Sequence, residues 1–366
     1  MHVIVIGAGI IGVSIADALA RRGASVTVLD MRSPGRGASH ASAGMLAPYT
    51  EAHGDATLLD LGVRALGLFD GFIDELRTAT GRTIEYARTG TLEVALDADR
   101  ADELRAAKRG LDALGVRSDV LDAAALRTEE PALSPAAVAG LLTHAHGFVG
   151  IDGLLAALVH RARFSGATFR SPVESIGVED RGNLVDVRIG DTHDSADFVV
   201  VAAGSWSGRV RIRNLASFPV RPVRGQLLHL GWTASPAPSR IVWGPRAYLV
   251  PWSTGALLVG ATVEDAGFDE HATASGVRDL TSAVIELLPG AAGARFDAVR
   301  VGLRPALPDG LPAVGPFQRA PRVVMATGHF RNGVLLAPLT ADLVSRYIVD
   351  GERDPALAVT APDRFL

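Results

Sequence analysis

Cysteine is absent from this chain of 366 residues, and lysine occurs once, at Lys108. The absence of cysteine excludes disulfides, thiolate nucleophiles, iron–sulfur clusters and any prosthetic group bonded through a cysteine. Lys108 lies in the charged stretch 99–109, which is typical of a solvated helix face. Chemistry that depends on a lysine Schiff base is therefore disfavoured.

Excess charge and long apolar runs are also scarce. The net charge is -4 and the pI is about 6.2, so no basic surface for nucleic acid is indicated. No apolar run reaches about 18 residues, and we expect no membrane span. The apolar start lacks the positive charge of a secretory leader, which favours a cytoplasmic protein. The 10 histidines form neither an HExxH motif nor a cluster, so no metal is expected.

The length exceeds one ordinary core, and about two domains are expected. The chain begins with a predicted strand at 3–6, a helix at 10–22 and a strand at 25–30, which is a parallel βαβ unit. Residues 198–202 form a further apolar strand, whereas 219–262 alternate in polarity and predict antiparallel sheet. Other helices are predicted at 58–79, 98–114, 153–165, 272–288 and 333–348, and other strands within 84–95 and at 173–178, 184–189 and 323–326.

These elements predict an α/β fold with two interleaved domains. The first is Rossmann-like, a parallel sheet with helices, at 1–83, 145–212 and 297–366. The second is a mostly antiparallel α+β domain, at 84–144 and 213–296, which is expected to bind the substrate.

A glycine motif joins the first strand to the first helix. Gly7 permits a tight turn, Gly9 lets the backbone approach a pyrophosphate, and Gly12 lets helix and strand pack closely. The following helix N-terminus offers free N–H groups to phosphates. Asp30 ends the second strand, where its carboxylate can accept a hydrogen bond from a ribose hydroxyl and repel the extra phosphate of NADP.

The type of dinucleotide follows from what comes after this motif. A glycine-rich turn can simply precede a buried helix, but here both strands and the acid accompany it. An NAD domain would continue with regular βα units, whereas this chain breaks into GRGASHASAGMLAP and then antiparallel material. A parallel-type strand returns only at 198. Such a discontinuous domain is typical of FAD enzymes, so FAD is the predicted cofactor.

The whole chain resembles the D-amino-acid oxidase superfamily, and within it the bacterial glycine oxidases of thiamin biosynthesis. The resemblance rests on the order and spacing of eight strings: VIGAGIIG at Val5, ASAGML at Ala41, VVVAAGSWSG at Val199, PVRGQ at Pro222, YLVP at Tyr248, VGAT at Val259, GLRP at Gly302 and GHFRNGVLLAP at Gly328. It implies an oxidase with noncovalent FAD that removes a hydride from the α-carbon of glycine, sarcosine or a small D-amino acid. The products would be the imine and, from oxygen, hydrogen peroxide.

Site residues are implied by the same motif match. Arg304 corresponds to the residue that binds the substrate carboxylate, Tyr248 to the tyrosine that closes over the substrate, and Arg331 to a second substrate-site arginine. Arg246 and Met45 are also placed at the substrate. The residues assigned to FAD are Gly7, Gly9, Ile10, Ile11, Gly12, Asp30, Met31, Ala38, Ser39, Ala43, Gly44, Met45, Val173, Ala203, Gly204, Trp206, Gly328, His329, Phe330, Arg331, Asn332, Gly333, Val334 and Leu335.

The chemistry of these residues supports the assignment. A planar guanidinium binds both oxygens of a carboxylate, and Arg304 lies among apolar residues, unlike an ordinary surface arginine. Tyr248 taken alone would be a core aromatic, and His329 a residue that positions the backbone. No Asp or Glu lies within the motifs, which suits hydride loss from a neutral amine. The N-terminus of the last helix is expected to stabilise negative charge on a reduced flavin.

Three positions carry hypotheses with open alternatives. Arg246 and Val263 replace a histidine and a methionine of the glycine oxidases. Arg246 could therefore attract an acidic substrate group, or it could face solvent or pair with an acid such as Glu264 or Asp265. His40 lies one place from the usual position of a histidyl flavin link, which favours noncovalent FAD.

Two other functions stay open. One is a dehydrogenase of D-amino acids or 2-hydroxy acids that passes electrons to a quinone or carrier instead of oxygen. The other is a flavin-binding sensor without turnover, which Arg304 and Tyr248 argue against because holding FAD requires neither. The sequence leaves a homo-oligomer open.

Overall fold

The computed structural model describes residues 1–52, 54–173 and 176–366. In these residues the strands are, in chain order, β1 (His2–Ile6), β2 (Ser25–Leu29), β3 (Met45–Leu46), β4 (Tyr86–Ala87), β5 (Thr91–Ala95), β6 (Ser118–Asp122), β7 (Ala139–Thr143), β8 (Gly147–Val149), β9 (Thr168–Arg170), β10 (Ile176–Asp180), β11 (Val185–Ile189), β12 (Thr192–Ala196), β13 (Phe198–Val201), β14 (Arg211–Ile212), β15 (Arg221–Gly231), β16 (Ile241–Trp243), β17 (Tyr248–Pro251), β18 (Ala256–Gly260), β19 (Arg295–Ala306), β20 (Ala313–Phe317) and β21 (Ala320–Thr327).

The α-helices of the described residues are α1 (Ile10–Arg21), α2 (Pro48–Glu51), α3 (Ala56–Thr80), α4 (Ala98–Ala113), α5 (Ala123–Glu129), α6 (Ile151–Phe164), α7 (Ala274–Leu287), α8 (Gly333–Asp350) and α9 (Pro355–Val359). Short 3₁₀ turns lie at Ala38–Ala41, Gly204–Arg209, Pro289–Gly293 and Pro362–Phe365.

The first sheet has the strand order β20-β21-β13-β1-β2-β9, and all neighbours in it are parallel except β20 and β21. Its central strand β1 is buried on both faces, which explains its continuous apolar sequence. Val3 and Val5 face the helices α1, α3, α6 and α8. Ile4 and Ile6 face a small sheet of order β12-β11-β10-β14. The parallel sheet is thus the middle of three layers.

The largest sheet has the order β19-β15-β18-β17-β16-β5-β7-β6 and is antiparallel except between β16 and β5. One face carries Leu228 and Val259, which pack with Leu280 and Val284 of α7. The alternating residues of the other face include Leu227 and pack with Ala43 and Phe148, near a short sheet of order β3-β8-β4. That second face is turned toward the loop that follows the βαβ unit.

The predicted fold class is confirmed, a parallel sheet with helices combined with antiparallel sheets. Most predicted elements are present with shifted ends. For example, α3 starts at Ala56 because the Asp55 side chain accepts a hydrogen bond from the N–H of Leu58 at 2.8 Å. The strands β6 and β7 and the helix α5 were not predicted, since their apolar runs are short. Of the strand predicted at 173–178, residues 174 and 175 lie outside the described residues.

The two-domain division stays a prediction. Strands of the largest sheet come from 91–143 and 221–306, and strands of the parallel sheet come from the remainder of the chain. The strand β19 pairs with β15 along its length, so the boundary expected at 296/297 falls inside one strand. In the described part of the chain, no helix has both the length and the apolar character needed to cross a membrane.

Acid should destabilise this fold through His146. Its ring is fully buried and stacks on Tyr49 at 5.6 Å, and burial lowers its pKa to about 3. The unfolded chain takes up a proton near pH 6.5, so the contribution of His146 is complete above about 6.5 and is lost as the pH falls toward about 3. Urea unfolding between pH 7 and pH 4 should give a shallower pH dependence for His146→Phe than for the parent.

The exposed His160 supplies the control for that measurement. His160→Gln should keep the parental slope. An unchanged slope in His146→Phe would contradict the assignment.

Candidate functional site

A cavity of about 500 Å³ lies between the parallel sheet and the largest sheet. Its lining includes Asp30 at the end of β2 and the turn between β1 and α1, and it also includes Tyr248 of β17 and Arg304 of β19. The cavity therefore reaches from the carboxyl ends of the parallel strands, where such sheets bind their ligands, to the facing antiparallel sheet.

The glycines of the β1–α1 turn leave room for a ligand at one side only. A Cβ on Gly7, whose φ is 111°, would lie 2.3 Å from the carbonyl oxygen of Ala202. A Cβ on Gly12 would lie 1.9 Å from the carbonyl oxygen of Gly7. At Gly9 the nearest atom would be Ser39 Oγ, at 3.4 Å, so this backbone faces the open cavity. The turn is a cradle that fits a dinucleotide pyrophosphate.

The polar groups around the turn are held in place. The Asp30 carboxylate accepts hydrogen bonds from the N–H groups of Ala8, at 2.6 Å, and Arg32, at 2.7 Å. Ser39 Oγ accepts one from the N–H of Ile10 at 3.0 Å. Because Gly9 caps α1 without a side chain, the helix N-terminus can receive an anion.

The structure brings most of the predicted cofactor residues together. The lining of the cavity includes Gly7, Gly9, Ile10, Ile11, Asp30, Met31, Ala38, Ser39, Ala43, Gly44, Met45, Val173, Ala203, Gly204, Trp206, His329, Phe330, Arg331, Asn332, Gly333 and Val334.

Three residues assigned to FAD lie behind this lining. Gly12 packs α1 against β1, and a Cβ on Gly328 would lie 2.2 Å from the side chain of Leu307. Leu335 is buried in the core formed with the helices. Each of the three packs against protein rather than the cavity, which for Gly12 is the packing role that its place in the glycine motif predicts.

Arg304 and Tyr248 lie together at the face of the largest sheet. Arg304 Nη1 donates to the carbonyl oxygen of Thr262 at 2.9 Å, and the guanidinium lies within hydrogen-bonding reach of the Tyr248 phenol. Burial lowers the pKa of Arg304 and raises that of Tyr248. A guanidinium stays charged at every ordinary pH, so this corner presents a desolvated cation beside a neutral O–H donor.

Two glycines make the space for this pair. A Cβ on Gly225 of β15 would lie 2.4 Å from three atoms of the Arg304 guanidinium. A Cβ on Gly260 of β18 would lie 2.5 Å from the Tyr248 hydroxyl oxygen. The side chains of Arg304 and Tyr248 therefore lie flat against the sheet, where Gly225 and Gly260 leave its backbone uncovered.

Arg331 lies elsewhere in the same cavity, paired with an acid. Its Nε is 3.2 Å from Oε2 of Glu51, at the end of α2. Its guanidinium is also 5.6 Å from the ring of Trp243, which in turn contacts Tyr248. Glu51 lies outside the motifs, none of which contains an Asp or Glu, so its place in the cavity was not predicted.

Arg246 is not among the lining residues of the cavity. Its guanidinium forms an exposed ion pair with Glu286 of α7. Val263 is 62% exposed and is likewise not in the lining. The structure therefore corrects the expectation that Arg246 stands at the substrate, and it favours the alternative of a surface arginine paired with an acid, although that acid is neither Glu264 nor Asp265.

The N-terminus of α8 borders the cavity between His329 and Val334. His329 is buried, its Nε2 lies 3.1 Å from Thr340 Oγ1, and burial lowers its pKa to about 3. A neutral imidazole of this kind supports the backbone and leaves the positive end of the helix dipole directed at the cavity.

His40 lies apart from this cavity. Its Nδ1 is 2.5 Å from the carbonyl oxygen of Gly37, and the ring borders a separate smaller cavity that includes Asp152 and Arg300. Its neighbours Ser39 and Ala41, in contrast, line the larger cavity. The ring is therefore poorly placed for a covalent link to a group in the larger cavity.

Several residues of the site were not predicted from the sequence. Gly225 and Gly260 could have been noticed as glycines inside predicted strands, which often mark a close approach of other atoms. The bidentate ion pair between Arg32 and Glu270, at 2.9 and 2.6 Å, joins the cavity wall to the loop after β18 and carries no sequence signal.

Comparison with known proteins agrees with this geometry. The family model described as FAD dependent oxidoreductase (DAO) matches residues 2–347. A bifunctional ThiO/ThiG protein of Synechocystis sp. is 33% identical over 371 residues, which are 100% of this chain and 54% of that protein. The chain thus spans about half the length of the bifunctional relatives that it matches.

Solved structures of similar length match along the whole chain. Glycine oxidase from Geobacillus kaustophilus has a TM-score of 0.94 and 30% identity, with 100% of this chain and 98% of that chain covered. Iminodiacetate oxidase from Chelativorans sp. BNC1 has a TM-score of 0.86 and 29% identity, with 96% of each chain covered. With the dinucleotide cradle and the family match, these likenesses establish that the chain belongs to the DAO family of FAD-dependent oxidoreductases.

Proposed function

We propose that this chain is an oxidase that removes a hydride from the α-carbon of glycine, sarcosine or a small D-amino acid and gives the imine. The observation that carries the proposal is the position of Arg304 and Tyr248 in the cavity that also contains the dinucleotide cradle. FAD, when bound, supplies the hydride acceptor. The chain's own contribution is to hold the amino acid so that its α-carbon is aligned.

The two side chains have complementary tasks in this proposal. Arg304 binds the substrate carboxylate, because a desolvated guanidinium gains most from an anion with two oxygens. Tyr248 keeps its proton because burial raises its pKa, so its hydroxyl can donate to the same carboxylate. Arg331 and Met45 complete the wall around the substrate.

Oxygen is the proposed electron acceptor, on the likeness to relatives named glycine oxidase. A dehydrogenase that uses a quinone or carrier is the alternative, and peroxide yield in air with and without a dye acceptor separates the two. The thiamin pathway is the proposed context, on the resemblance to ThiO/ThiG proteins. A cytoplasmic location is also proposed. A homo-oligomer stays a proposal.

Anaerobic mixing with substrate tests the reaction. Glycine, sarcosine or D-alanine should bleach the flavin of the loaded protein. In Arg304→Leu the efficiency of bleaching should fall by the equivalent of roughly 2–4 kcal/mol while FAD content is unchanged, because a charge-assisted pair is lost.

Arg246→Leu is the matched control, because it removes an arginine from the surface. It should bleach like the parent. Bleaching by none of the three compounds would favour the sensor, and near-normal efficiency in Arg304→Leu would place the carboxylate elsewhere, with Arg331 the next candidate.

Gly225→Ala should weaken substrate binding without unfolding the protein. The three atoms nearest the new methyl group would all belong to the Arg304 guanidinium, at 2.4 Å, and this group is the far end of a flexible side chain. The substrate concentration for half-maximal bleaching should therefore rise, by about tenfold if the displaced contact is worth about 1.4 kcal/mol. In Gly231→Ala, in the same strand, the new methyl group meets the exposed Arg295, and substrate binding should equal that of the parent. Equal substrate binding in the two variants would show that Arg304 does not need this space.

The cofactor should be held without a covalent bond. Purified protein should be yellow, and acid or heat should release intact FAD, because cysteine is absent and His40 borders a different cavity. Chromatography of the supernatant identifies the flavin. Flavin that stays with the precipitated protein would contradict this prediction and would make His40 the residue to replace.

A further inference from the structure

The acid Glu51 has no part in the function proposed so far. The described residues that line the cavity include two acids, Asp30 and Glu51. Asp30 is engaged by backbone N–H groups of the dinucleotide turn. The Glu51 side chain is 7% exposed and lies against Arg331 at 3.2 Å. A buried carboxylate is costly and would repel a carboxylate substrate, so its presence in this cavity requires a physical explanation.

Glu51 distinguishes the two arginines of the substrate end. Within the described residues, Arg304 has no carboxylate within ion-pair distance and donates instead to the carbonyl oxygen of Thr262. Arg331 is balanced by Glu51. Both arginines and Glu51 act on the same corner, because the charges of all three shift the pKa of Tyr248. Of the two arginines at the substrate end of the cavity, Arg304 is therefore the unbalanced cation and Arg331 the neutralised one.

This arrangement has a consequence for substrates. One carboxylate is attracted to Arg304, whereas a second carboxylate that approached Arg331 would also meet the negative charge of Glu51. We propose that Glu51, by neutralising Arg331, makes the site select amino acids with one carboxylate over those with a second carboxylate. Glu51 is thus a specificity residue, and the inference rests on the oxidase function proposed above.

Sarcosine and iminodiacetate are the matched probes for this inference. Both are N-substituted glycines, and they differ in that the methyl group of sarcosine is a carboxymethyl group in iminodiacetate. A similar fold occurs in a protein named iminodiacetate oxidase, so the size of this compound alone does not exclude it from such a scaffold. The ratio of the two efficiencies therefore reports on charge.

The experiment measures anaerobic flavin reduction by both compounds in the FAD-loaded parent and in four variants. The iminodiacetate-to-sarcosine ratio should rise by about tenfold or more in Glu51→Gln, because the charge of Arg331 is no longer balanced. It should fall in Arg331→Gln, which leaves Glu51 negative. It should lie near the parental value in Glu51→Gln/Arg331→Gln, where both charges are gone.

Glu286→Gln is the matched control, because it frees the surface arginine Arg246 in the same way. Its ratio should equal that of the parent. An unchanged ratio in Glu51→Gln, or an equal rise in Glu286→Gln, would overturn the proposal. If Glu51→Gln failed to hold FAD, the Arg331→Gln variant would test the proposal instead. An unchanged iminodiacetate-to-sarcosine ratio in that variant would also overturn the proposal.

Binding of non-oxidised acids separates this inference from the proposed function. Acetate and malonate form the same one-carboxylate and two-carboxylate pair, and their binding can be followed by the flavin absorbance. The malonate-to-acetate affinity ratio should rise in Glu51→Gln even if no amino acid bleached the flavin of the parent. An unchanged affinity ratio would remove the role of Glu51 whatever the reaction is.

Discussion

A patch without side chains on the largest sheet determines how the site is built. Gly225 and Gly302 are direct partners across β15 and β19. A Cβ on Gly302 would lie 2.9 Å from Ala41, and one on Gly225 would lie 2.4 Å from the Arg304 guanidinium. Gly302 lets the loop at Ala38–Ala41 approach the sheet, and Gly225 lets Arg304 lie flat against it. Because Gly302 and Arg304 are two residues apart in one strand, they point to the same face. The loop at Ala38–Ala41 and the Arg304 guanidinium are thereby brought to one cavity.

The charged groups and helix ends around this cavity together favour an anion. The uncapped start of α1 and the start of α8 direct the positive ends of two helix dipoles into it. Arg304 adds a desolvated full charge, and Tyr248 adds a neutral donor beside it. Asp30 and Glu51 are both engaged, one by the dinucleotide turn and one by Arg331. The result is a cavity suited to a dinucleotide and to one carboxylate.

Local patterns predicted the parts of this structure that depend on local physics. The βαβ unit followed from an apolar strand, a glycine turn and helical periodicity, and α3 and α8 followed from periodicity alone. The position of Arg304 in the cavity, in contrast, was implied by the family resemblance of the GLRP motif and not by local physics. What could not be predicted depends on contacts between distant segments. Glu51 and Arg331 are 280 positions apart, and nothing in the sequence near either residue indicates that the two form an ion pair.

Arg246 shows the same limit from the opposite direction. The resemblance placed it where a histidine stands at the substrate, but Arg246 lies in the turn before β17 and its guanidinium pairs with Glu286 of α7. Correspondence to a site position of similar proteins therefore did not predict proximity to the site.

Arg304 is proposed to anchor a carboxylate in the cavity assigned to FAD. A crystal structure of the FAD-loaded protein with acetate, an acid that cannot be oxidised at an amine-bearing carbon, tests this role. Both acetate oxygens are expected about 3 Å from donors of Arg304 and Tyr248. Acetate bound at Arg331 instead, with Arg304 turned away from the cavity, would contradict it.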